Sequence, residues 1–241
     1  GENHMSFIEE LKYNRDKQIM AISIVFFVLS FPAYFYFAAQ GVDDVSASTA
    51  VATYEIDGER QYFELTSGDE FVVDGDPLVI DNMHTDSIDD ADDMNIVGVR
   101  LTMTYTEAEE GGEGITCPGG SAADDTITGT TMHGDYNETA TGSNNGNSGS
   151  HSVEVYWISN VSLLDEDTVT MSKSGIIAEI DAGDLGLGAY TAEISVDAQA
   201  GNEPSPACTS PRSDAGEDVA YIVEIIVFDY DIRPYVDLEE L

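Results

Sequence analysis

The 241 residues carry 8 Lys and Arg against 47 Asp and Glu, a formal charge of −39 at neutral pH. That sign excludes nucleic acid and anionic lipid surfaces as partners, because phosphate is bound by positive charge. The same charge repels itself, so the chain reads as a solvated surface adapted to cation-rich solvent.

Three basic residues, Lys12, Arg15 and Lys17, and four acidic ones precede position 42, which leaves 5 basic and 43 acidic residues in the last 200. Ser6–Lys17 reads as a short helix, with Ser6 as N-cap and Glu9 completing a capping box. Phe7, Ile8 and Leu11 give this stub a narrow apolar stripe suited to the inner leaflet. Ile19 to Ala39 then runs for twenty-one residues without a charge. At ~1.5 Å per residue such a helix is about 32 Å long, enough to cross a hydrocarbon core of roughly 30 Å. Lys12, Arg15 and Lys17 stand before it and Asp43 and Asp44 after it, so the positive-inside rule places the N-terminus in the cytoplasm and the bulk outside. The span reads as an uncleaved signal-anchor, and Ala39-Gln40-Gly41 leaves a cleaved signal peptide as the alternative.

This N-terminal arrangement resembles archaeal pilins and archaellins, which set an apolar helix before a β-rich head. Arg15-Asp16-Lys17-Gln18 lacks the small residue that their processing signal needs. The resemblance therefore implies an unprocessed envelope protein rather than a processed filament subunit.

Beyond a linker at residues 40–50, the signals are those of strands and turns. Tyr54-Glu55-Ile56 and Arg60 to Leu65 flank Asp57-Gly58, and Phe71-Val72-Val73 and Leu78-Val79-Ile80 flank Asp74-Gly75; both predict hairpins. Ile96 to Thr106, Ser152 to Trp157 and Tyr190 to Asp197 alternate apolar with polar residues, the period of a half-buried strand. Val219 to Phe228 is apolar on both faces except for Glu224, as in a strand covered on both sides or an edge meeting another surface. The stretches Glu107–Ser150 and Ala198–Glu217 read as long loops, with Asn137–Ser150 leaning to disorder. The only cysteines, Cys117 and Cys208, lie beyond the span, where an even count reads as one disulfide.

Oxygen-rich acidic clusters suit calcium, and the candidate ligands are Asp86, Asp89, Asp90, Asp92 and Asp93, followed by Asp165 with Asp167 and Asp181 with Asp184. None has EF-hand spacing. Met83-His84 and Met132-His133, with His151, offer sulfur and imidazole for copper, but without the Cys-His-Met pattern of copper domains they read as metal-free loop residues. There is no HExxH, no G-x-S-x-G and no phosphate-binding Gly loop, so neither an enzyme nor a cofactor is expected. Asn137-Glu138-Thr139 and Asn160-Val161-Ser162 are N-glycosylation sequons, with Asn137 and Asn160 as acceptors.

Leu185 to Tyr190, leading into an alternating strand, resembles the tyrosine corner of immunoglobulin-like domains, and Trp157 resembles their core tryptophan. The resemblance implies strand B at Ile96–Thr106, strand C at Ser152–Asn160, strand E within Val169–Ile180, strand F from Tyr190 and strand G at Val219–Phe228. Position 192 is Ala where antibody-type domains have Cys. The mapping places Cys117 and Cys208 in loops that emerge at one end.

The expected organisation is a cytoplasmic stub (1–18), a transmembrane helix (19–39), a linker (40–50), a mostly β, immunoglobulin-like extracytoplasmic sandwich (51–232) and an acidic tail (233–241). It resembles archaeal cell-surface proteins from saline water. The expected role is a non-catalytic binding or structural module of the cell envelope, held in the lipid bilayer by Ile19–Ala39 and facing a protein or glycan partner. The alternative is an accessory subunit of a filament or secretion machine that docks through its span or through Val219–Phe228.

Overall fold

The computed structural model describes residues 50–106, 123–145, 148–200 and 214–235. The expected stub, the Ile19–Ala39 span, nearly all of the linker, Cys117 and Cys208 lie outside the described residues. Among the described residues, no helix is long and apolar enough to cross a membrane. The chain divides into two compact units. One comprises Thr53–Thr170 with Ile176–Leu241, and the other comprises Gly1–Ala52 with Met171–Gly175.

The described strands are β1 (Val51–Val73), β2 (Leu78–His84), β3 (Ile96–Thr106), β4 (Asp124–His133), β5 (Tyr136–Asn145), β6 (Ser148–Tyr156), β7 (Thr168–Ser172), β8 (Ala189–Asp197) and β9 (Gly216–Pro234). One helix, α1 (Lys173–Ile180), follows β7. A five-stranded sheet has the order β6-β3-β9-β1-β7 and a four-stranded sheet the order β2-β8-β4-β5. The ladders β1–β9, β3–β9, β3–β6, β2–β8, β4–β8 and β4–β5 are all antiparallel.

Alternation buries the residues that periodicity selects. Val99, Leu101, Met103 and Tyr105 of β3, Val153 and Val155 of β6, and Tyr190, Ala192, Ile194 and Val196 of β8 are all buried. Removing each large side chain from water contributes on the order of 1.5–3 kcal/mol. The two sheets meet face to face. A Cβ on Gly129 of β4 would stand 2.3 Å from Met103 Cε and 3.1 Å from Leu101 Cδ2 of β3. The absent side chain is what lets β3 press against the opposite backbone. β9 lies between β3 and β1; Val223, Ile225 and Val227 are buried on one face and Ile226 and Phe228 on the other, while Ile222 stays exposed.

Several expectations are corrected. Asp57-Gly58 is no turn: β1 runs straight through it, with Asp57 opposite Asp231 and Gly58 opposite Tyr230. A Cβ at Gly58 would lie 2.2 Å from Phe228 Cζ, so this glycine makes room for an aromatic ring. The turn at Asp74-Gly75 exists, with Gly75 at φ +70, but it carries the chain from one sheet to the other instead of closing a hairpin. Much of Glu107–Ser150 is ordered as the β4–β5 hairpin and the start of β6, where Thr128 meets Thr141 and Thr130 meets Thr139 through their hydroxyls. Val169–Ile180 is a short strand followed by a helix whose Ile176 and Ile180 are buried one turn apart. β9 continues to Pro234, two residues into the expected tail.

The tyrosine corner is present. Tyr190 Oη donates to the carbonyl of Gly186 at 2.5 Å, and Trp157 Nε1 donates to the carbonyl of Ile96 at 2.6 Å. The immunoglobulin strand assignment does not carry over. That fold keeps C, F and G in one sheet and B in the other, whereas here β3, β6 and β9 are neighbours in one sheet and β8 belongs to the other.

Removing the Tyr190 hydroxyl leaves the Gly186 carbonyl without its buried donor. Tyr190→Phe is expected to lower the unfolding free energy by about 1–2 kcal/mol in a urea titration at fixed KCl, with the midpoint shifted and the slope unchanged.

Candidate functional site

Asp125, Asp214 and Glu217 each place a carboxylate oxygen within 4.8 Å of the other two. Asp125 and Glu217 have no solvent-accessible surface, and Asp214 is half-buried. Asp125 occupies the same inward phase of β4 as Ile127 and Gly129, and Glu217 the same phase of β9 as Val219. Two acids from different sheets thus point into the interlayer where leucine or valine would be ordinary.

Backbone geometry fixes the approach. The Asp125 Oδ1 accepts from the Gln199 amide at 2.6 Å, and Asp214 Oδ1 accepts from the Gly216 amide at 3.1 Å. Gly216 adopts φ +141, and a Cβ there would stand 2.0 Å from the Val72 carbonyl oxygen. Only glycine turns the chain between Asp214 and Glu217 in this way. Asp125 Oδ2 is buried and receives no hydrogen bond. Full charges 4.8 Å apart repel by roughly 3–4 kcal/mol per pair at an effective dielectric constant of about 20.

The cluster sits at one end of the two-sheet body. β3 ends and β4 begins there, as do the last residue of β8 and the first of β9: Thr106 is paired with Asp218, and Thr126 with Asp197. The strands that flank both cysteine-bearing segments therefore end and begin at this end. Cys117 and Cys208 themselves lie outside the described residues.

The expected calcium ligands are placed differently. Asp86 is in a 3-10 turn at Thr85–Ser87, and Asp92 and Asp93 are in another at Ala91–Asp93. Asp86, Asp89, Asp90, Asp92 and Asp93 do not form a converging trio. Among the described residues, the only set of three or more that does is Asp125, Asp214 and Glu217. The pairs Asp165 with Asp167 and Asp181 with Asp184 are also apart from it. Asp165 is taken by Arg60 in a two-pronged ion pair at 2.5 and 2.9 Å, which holds its carboxyl below the usual range. Asp181 accepts from Gly183 N and Tyr230 Oη. Asn137 is exposed on β5, while Asn160 is half-buried with its Oδ1 accepting from the Ser162 hydroxyl at 2.7 Å.

Sequence reading missed the trio because its members are scattered along the chain and two adjoin further acids, Asp124 and Asp218. The available signal was phase: in Asp125-Thr126-Ile127 an acid takes the inward place of an alternating strand.

The histidines do not gather. His84 Nδ1 accepts from the Asp86 amide. At the end of β4 opposite Asp125, His133 stacks on Tyr190 with centroids 4.2 Å apart and packs against Trp157; its two ring nitrogens lie 2.9 and 2.7 Å from the carbonyl oxygens of Ala189 and Leu185. His151 lies edge-on to Tyr105 at 5.7 Å.

Burial holds the His151 imidazole below its ordinary pKa of 6.5. The unfolded chain therefore takes this proton first as pH falls. Its contribution to stability is complete above about 6.5 and is lost progressively as pH drops toward the folded value. Urea stability at constant KCl is expected to decline from pH 7 to 5.5, and His151→Gln is expected to make that decline shallower.

No protein-family model matches this chain, and no curated protein matches it either.

Proposed function

We propose that this chain is a membrane-anchored, extracytoplasmic, non-catalytic module of the cell envelope that engages a protein or glycan partner through the loops at one end of a β-sandwich. The observation that carries this reading is the path of β1. The β1–β9 ladder runs from Tyr54 opposite Pro234 to Val73 opposite Gly216. The chain thus enters the β body at one end of the ladder, and both cysteine-bearing segments are rooted at the other. Tyr54 and the loop roots are thus separated by the length of the ladder. That placement suits recognition of something beyond the protein's own attachment site.

Charge supports the same reading. Arg60 is paired with Asp165, Arg100 with Glu224 at 2.7 Å, and Arg233 with Asp231 at 2.8 Å. Arg100 also lies 3.6 Å above the Tyr62 ring. The arginines described are held inside the module's own contacts, and the surplus surface charge is acidic. A partner that meets this body is either neutral, as a glycan, or basic. The machine-subunit alternative would dock through its span, which lies outside the described residues, or through Val219–Phe228, and the latter is the middle of a central strand with most of its apolar side chains already covered.

Protease added to intact cells should remove the C-terminal body and leave a membrane-embedded stub. Cross-linking after gentle detergent extraction should capture a partner that is lost when residues 109–120 are replaced by a short Gly-Ser linker. Full protection from external protease, or an unchanged cross-linking pattern in the loop-replaced protein, would sink the proposal.

A further inference from the structure

We infer that Asp125, Asp214 and Glu217 form a calcium site that ties the two sheets together at the loop-bearing end. Acidic clusters are common in this chain, and a cluster alone would carry nothing. What distinguishes this one is that Asp125 is completely buried, its Oδ1 is engaged by the Gln199 amide, and its Oδ2 is enclosed without a hydrogen-bond donor. An enclosed carboxylate oxygen beside two further carboxylates is a place for a positive charge.

The donor set selects the metal. All three side chains offer hard oxygens, with no imidazole or thiolate among them, which disfavours zinc and copper. Calcium takes six to eight oxygens at roughly 2.3–2.6 Å and accepts carboxylates in one- or two-oxygen modes, with carbonyls and water completing the shell. Magnesium demands a near-ideal octahedron and dehydrates reluctantly, so a half-open site shared by two strands and a loop suits it less.

The site would also have a structural effect. Asp125 belongs to β4 of one sheet, Glu217 to β9 of the other, and Asp214 to the segment returning from Cys208. One cation would therefore clamp both sheets and the root of one loop. Calcium chemistry is thus assigned away from the exposed run at Asp86–Asp93 and to residues that sequence spacing does not connect. The inference stands on the carboxylate geometry and is independent of which partner the loops meet.

The test uses the purified full-length chain, stripped with chelator and dialysed in about 2 M KCl to suppress diffuse ion binding to the acidic surface. Equilibrium dialysis with radioactive calcium, in the presence of excess magnesium, should find one tight equivalent, and calcium should raise the melting temperature beyond the effect of KCl at equal ionic strength. Asp125→Asn keeps the acceptor for Gln199 and removes one charge; it should weaken that equivalent at least tenfold and abolish the thermal shift. Asp89→Asn should leave both unchanged. If Asp125→Asn does not fold, the half-buried Asp214→Asn provides the same comparison. Absence of a tight equivalent in the native chain, or its survival in the folded trio variant, overturns the inference whatever the outcome of the cross-linking experiment.

Discussion

Apolar contact between two facing sheets has to hold against carboxylates that repel one another over the whole surface, and that opposition shapes the rest of the molecule. The inward stripe of β3, from Val99 to Tyr105, faces β4 with almost no exposed area. Gly129 brings the layers close enough for Met103 and Leu101 to fill the space where a side chain would stand. Burial of this kind does not depend on ionic strength as surface charge does. The few arginines reinforce it from outside: Arg100 bridges to Glu224 on the next strand while lying over Tyr62.

Polar order at the two ends of the body differs in kind. At one end His133, Trp157 and Tyr190 pack as rings, with the Trp157 and Tyr190 donors satisfied by backbone carbonyls. Asn95 ties the neighbouring turns together, donating to the carbonyls of Ile180 and Phe228 and accepting from Ala182. At the other end three carboxylates converge at the roots of the long connections. At the ring-packed end the polar atoms of Trp157, Tyr190 and His133 all face backbone carbonyls. The acidic end concentrates negative charge where the chain is about to leave the sheets.

Much of the β architecture was legible from the chain. β3, β6 and β8 follow from period two because each has one wet face and one dry one. The misses also have physical causes. Asp57-Gly58 has the composition of a turn, but its glycine serves the Phe228 ring, and local sequence cannot show a contact 170 residues away. β4 and β5 were hidden because threonine, glycine and asparagine carry little hydrophobic signal; their pairing rests on the ladder and on threonine hydroxyls across it. The pairing of β3 with β6 and β9 could not be read from local pattern either, since alternation marks a strand and not its neighbour. The acidic trio fell between these cases: its phase was visible and its convergence was not.

The β1–β9 ladder has a mechanical consequence. Tyr54 faces Pro234 at one extreme and Val73 faces Gly216 at the other, and the interstrand hydrogen bonds lie across the strand direction. Tension applied lengthwise, between Tyr54 of β1 and Gly216 of β9, strains these bonds together in shear. Pulling both strands apart from a single extreme would open them one after another like a zip. A module built this way resists being stretched far better than it resists being peeled.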